Sequence, residues 1–162
     1  MAATVTILEK NGAGGTTTDK TGGTVRMKKA DNSTVDLNNP LVKPGAGSDW
    51  SFQKWLIMNF AGTYTQASNG KFYTDGSSGL GTGVNLWAKA VTSFSTPAQE
   101  TASTGYANAF TYTSGAPLSL GAGPVTGTGQ KFDHVVLAAE VTSSAAGGLT
   151  ASETITFAWD EI

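Results

Sequence analysis

The chain has 162 residues, 39% of them hydrophobic and none of them cysteine. At this length a single domain buries roughly 70% of its unfolded surface without staples, and the missing cysteine excludes disulfides and thiolate metal sites. Charged side chains make up only 14% and the net charge is −2, which argues against a nucleic-acid binder; apolar runs such as "WLIM" are far too short to span a membrane.

The charge is unevenly placed. Residues 1–89 hold nine basic and six acidic side chains, whereas 90–162 hold Lys131 against six acids. This reads either as scatter in a small count or as a mildly basic surface that meets an acidic partner, such as the other half of a neighbouring copy. The start, "MAATVTILEK", lacks the basic start, apolar stretch and cleavage site of a secretory signal. A soluble product of the cytosol is therefore expected.

In chain order, "TVTIL" (4–8) alternates as a short strand. The run "NGAGGTTTDKTGG" (11–23) reads as a flexible loop, or as an arm ordered only on contact. That divides the chain into an N-terminal strand and Gly/Thr-rich arm, 1–23, and a β-domain, 24–162. "TVRMKK" (24–29) and "STVDL" (33–37) flank "ADN" as a small hairpin, followed by a Pro/Gly-rich connection over 38–49. In "DWSFQKWLIMNFAGTY" (49–64), a strand puts Trp50, Phe52, Leu56, Met58 and Phe60 on one face, interrupted by Lys54. A helix would group Phe52, Trp55, Leu56, Asn59 and Phe60 almost as well. The β-rich continuation and the lack of a cap before Gly62 favour the strand, with both faces covered.

Further on, "KFYT" (71–74) and "GVNLWAKAV" (83–91) enclose "DGSSGLGT" as a hairpin with a Gly-rich loop. A short helix is expected at 96–103, where Thr96, Pro97 and Gln99 resemble a capping box. "YANAFTY" (106–112), "HVVLAAEV" (134–141) and "ETITFAWDEI" (153–162) read as strands, and all five prolines fall in connections. The fold expected is all-β: a single-domain antiparallel β-sandwich or barrel, jelly-roll or Ig-like, with eight or nine strands and little helix.

Catalytic signals are weak. His134 is the sole histidine; beside Asp133 it reads as a surface or cap residue before it reads as an acid–base group. Asp160 and Glu161 alternate to opposite faces, a poor geometry for paired carboxylates. "TDGSSGLGTG" (74–83) lacks the alternating acids of a calcium loop, and "GLGTG" (79–83) matches no phosphate loop. No catalytic, metal or cofactor-binding residue is assigned, and no cofactor is expected. Trp50, Trp55, Trp87 and Trp159 read first as core; the alternative is that Trp55 and Trp87 are exposed rings that stack on sugar or on a partner protein.

Two stretches carry a resemblance. A segment of the type "TVDLNNPL…GSDWSFQKWL", leading into "YTQASNGKFYTDG" and "GTGV", together with the ending "ETITFAWDEI", resembles virion structural proteins of tailed bacteriophages. It covers residues 24–91 and 149–162. The resemblance is closest to capsid decoration (cement) proteins, and what it implies is non-enzymatic. Such a chain binds the outer capsid surface through the major capsid protein and itself, commonly as a trimer, with no nucleic-acid or membrane partner. The arm at 9–23 and the basic strand with Arg26, Lys28 and Lys29 are then the expected shell or subunit contacts, with Trp55 and Trp87 as further contact residues. The alternatives are a tail or neck protein of the same virion and a carbohydrate-binding adhesion sandwich.

Overall fold

The computed structural model describes residues 2–147 and 151–162. Ten strands occur among them: β1 (Thr4–Asn11), β2 (Thr16–Asp19), β3 (Ser48–Trp50), β4 (Lys54–Ala61), β5 (Ala67–Tyr73), β6 (Val84–Val91), β7 (Ala107–Asn108), β8 (Leu118–Gly121), β9 (Gly129–Thr142) and β10 (Thr156–Glu161). They form an antiparallel β-sandwich. The large sheet runs β2-β1-β4-β9-β6-β7, with β3 also paired to β9, and the small sheet runs β10-β5-β8. The one helical element among the described residues is a single 3-10 turn at Ala109–Thr111, capped by the Asn108 side chain.

Period-two patterning explains why the large sheet is buried on both sides. β9 is the central strand, pairing with β4 on one side and β6 on the other. Cross-strand partners share a face, so Leu56, Val135 and Ala90 point inward while Trp55, Val136 and Lys89 point outward. Inside, Leu56, Met58, Phe60, Val135 and Leu137 meet Phe72 and Leu120 of the small sheet. Each such side chain stabilises the fold by about 1.5–3 kcal/mol on burial. Phe60 spans the layers, its ring 5.4 Å from Trp159 in an edge-to-face contact. Gly70 is required where β5 passes Phe132, because a Cβ there would lie 2.6 Å from that ring.

Several expectations need correction. The Gly/Thr-rich arm is ordered: β1 and β2 form a hairpin, and β1 pairs along its length with β4. Residues 24–37 form no hairpin, because the Lys28 ammonium draws in Asn32 Oδ1 and the Thr34 carbonyl and curls the segment around itself. β5 and β6 are not a hairpin either; they lie in different sheets, and residues 74–83 cross between them. No helix forms at 96–103, where the backbone instead bridges Gln99 to Phe52. The expected strand 106–112 is reduced to β7 and the 3-10 turn. The long segment at 50–60 is a strand, as expected, but it is broken at 51–53.

Candidate assembly surface

The two faces of the large sheet are finished differently. On the outer face the connection 92–106 lies over the sheet and seals it. Trp55, 2% exposed, packs edge-on against Phe94 at 5.3 Å and His134 at 5.6 Å. Its Nε1 donates to Gln53 Oε1 at 2.8 Å, and Gln53 in turn donates to Glu100 at 2.5 Å. Trp87 is half-buried, stacked on Trp50 at 6.5 Å, and donates to Glu140 at 3.1 Å. Burial opposes ionisation of Glu140, but hydrogen bonds from Ser48, Asn85 and Trp87 outweigh it and hold its pKa below the usual carboxylate value.

His134 is not a surface or cap residue. It is 5% exposed, with Nδ1 3.3 Å from the Val91 carbonyl and Nε2 without a hydrogen-bond partner among the described residues. Asp133 precedes it on the same strand and therefore points to the opposite face, so the two do not form an acid–base pair. Burial is the main cause that lowers its pKa, and the nearby Lys10 adds to it. Among the described residues, no cluster of three or more His, Cys, Asp or Glu side chains is placed to hold a metal ion. No helix among them is long and apolar enough to cross a membrane.

Among the described residues the inner face is left unfinished. Three strands cannot cover seven, and the uncovered part is roofed by the strap 20–47, which has no regular structure. A groove of about 1100 Å³ remains beneath it. Ile7, Leu86, Leu137 and Ala139 of the large sheet floor it, and Phe157 on β10 forms one wall. Among the described residues β10 pairs with β5 alone, which leaves its other edge without a strand partner. At the mouth stand Val35, Leu37 and Val42, which are 61%, 86% and 51% exposed. Single exposed apolar residues are ordinary, but three on one strap beside an apolar groove form a patch.

The expected contact residues are not gathered in one place. Arg26 is exposed at the groove. Lys28 is 4% exposed, its charge spent on Asn32 and Thr34, so it does not reach a partner. Lys29 is tied to Asp49 at 2.9 Å. Trp55 is sealed on the other side of the sheet, which removes it as a contact or sugar-stacking ring. Trp87 keeps part of its surface there. Sequence reasoning missed Val35, Leu37 and Val42; the signal was their apolar character, the first two in an expected strand and Val42 in the connection that follows it.

No family model, no curated protein and no solved structure matches this chain.

Proposed function

We propose that this chain is a non-enzymatic structural component of a tailed-phage particle, a decoration protein that binds the outside of the capsid and stiffens it. The observation that carries the reading is the inner face left unfinished among the described residues: an apolar groove beside a strand edge without a strand partner, with Leu37, Val35 and Val42 exposed at its mouth. A surface of this kind gains free energy by acquiring a neighbour. The exposed Arg26 and Lys43 stand at its rim beside Asp36 and Glu153, so the rim carries both signs and suits a complementary mixed surface on the major capsid protein or on another copy, with a trimer as the expected assembly. Many copies on a shell distribute the binding over repeated interfaces. The sealed outer face, with Trp55 buried, weakens the sugar-binding alternative.

The test is addition of purified protein to expanded shells that lack it. Stoichiometric binding on the head, and shells that withstand heating better, are expected. Binding at the tail or neck alone would move the protein to that part of the virion; no association with particles would reject the reading.

A further inference from the structure

Outside the assembly surface lies a buried polar cluster that the proposed role leaves unused. Glu9 on β1 and Lys54 on β4 are both fully buried in an otherwise apolar sheet. Lys54 Nζ stands 3.3 Å from Glu9 Oε1, and Asn11 Nδ2 donates to the same oxygen at 3.1 Å. The antiparallel register pairs Lys10 with Trp55, which places Asn11 directly across from Lys54 at the next step. Cβ atoms at such positions lie about 4.5–5.5 Å apart, within reach of a side-chain bond. One amine, one carboxamide and one carboxylate thus converge on a single oxygen.

From this convergence we infer that the chain closes an isopeptide bond between Lys54 Nζ and Asn11 Cγ, with Glu9 as the proton carrier. Glu9 accepts a proton from the Lys54 ammonium, and the freed amine attacks Asn11 Cγ. As the new C–N bond forms, Glu9 returns that proton to Nδ2 and the bond from Cγ to Nδ2 breaks. The amine's second proton leaves through Glu9 with the departing nitrogen, so the net products are an amide and ammonium. Nothing is oxidised or reduced, and no co-reactant is needed. Burial is the dominant influence on Lys54 and lowers its pKa, although Glu9 opposes the shift, which favours the neutral amine the attack requires.

The surroundings favour this route over a competing one. Asn11 is followed by Gly12, a pair prone to cyclise when the Gly12 nitrogen attacks the same carbon. Here Gly12 N–H donates to Asp31 Oδ2 at 2.7 Å, while Asp31 Oδ1 holds the second Asn11 Nδ2 proton at 3.0 Å. Among the described residues Glu9 Oε2 has no hydrogen-bond partner, and the Lys20 ammonium is 3.6 Å away. The bond would rivet the N-terminal hairpin to the centre of the sheet.

The experiment is intact mass spectrometry of the full chain, with N-terminal processing accounted for, followed by tryptic mapping. The expected result is a deficit of about 17 Da, one ammonia, and a branched peptide joining residues 11–20 to the segment around Lys54. Asn11→Ala leaves the Lys54–Glu9 pair in place and should restore the full mass in a folded protein; Glu9→Gln should fold and stay unlinked. A wild-type mass equal to that of the sequence overturns the inference. So does the same deficit without a branched peptide, which is the mark of a succinimide at Asn11. A deficit of about 18 Da, one water, overturns Asn11 as the acceptor and points to a carboxylate, Glu9 or Asp31.

Discussion

The outer and inner faces of the large sheet are built from the same strands, yet one is closed and the other open. Outside, the cover is a connection of fewer than twenty residues held by aromatic edges and by polar side chains that satisfy one another: Trp55 with Gln53, Gln53 with Glu100, and Tyr106 with Glu100. Inside, the cover is longer and is pinned in both halves, the second by Val42 N–H on Asp49 Oδ2 at 2.9 Å and by the Gly47 carbonyl, which accepts from Ser143 N–H at 3.1 Å. Lys54 and Lys20 hold the carbonyls of Asn32 and Ser33, and beyond Thr34 the strap carries its apolar side chains outward. Cover length is therefore not what closes a sheet face. What matters is whether each polar group in the cover finds a partner and each apolar one finds a floor.

The contrast can be broken at its anchor first. In the Asn11→Ala background, where no link forms and the Asn11 amide is gone, Lys54→Ala leaves Glu9 buried with only the more distant Lys20, and removing one partner of a buried pair costs about 3–5 kcal/mol. Denaturant unfolding should register that loss, with proteolysis appearing first in the strap. Trp55→Ala tests the closed side: the cavity and the lost contacts with Phe94 and His134 should cost about 3–5 kcal/mol. Limited proteolysis should then cut within 92–106, while the groove keeps its partner.

A smaller effect is expected from pH. The pKa of His134, on the closed face, lies below its ordinary 6.5 chiefly because the ring is buried and then because Lys10 repels its charged form, with backbone hydrogen bonds at Val91 and Thr92 and, least, Asp133 opposing. The unfolded chain therefore binds this proton more readily than the folded one. Stability from this group is present above about pH 6.5 and declines as pH falls from there toward the lowered folded value. Thermal melts of the native chain and of His134→Phe, compared from pH 7.5 down to 5, should diverge, with the variant losing this part of the slope. The smallest change in stability belongs to the open side. Leu37→Asp should alter unfolding by no more than about 0.5 kcal/mol, because the side chain is already in water. In a shell-binding assay the same variant should lose most of its affinity.

The fold class was legible because β1 and β10 alternate apolar residues at period two, β4 and β9 carry short continuous apolar runs, and every proline falls between strands. Their partners were not legible, since β5 and β6 carry proper strand patterns but join different sheets, and pairing across such distances leaves no local mark. Lys54 read as an interruption of an apolar face. Its partner, Glu9, is 45 positions earlier, and only the register brings them together. The basic residues at 24–29 read as a contact strand, but Lys28 and Lys29 have internal partners that composition does not reveal. His134 was misplaced for the same reason: the aromatic cover that buries it comes from residue 94, far along the chain.

Hydrogen–deuterium exchange on the free protein and on the protein bound to capsid shells would weigh the two faces against each other. The account predicts strong new protection across residues 24–43 and along β10, with 92–106 unchanged. Protection confined to 92–106, or no difference anywhere, would contradict the assignment of the open face as the surface that grips the shell.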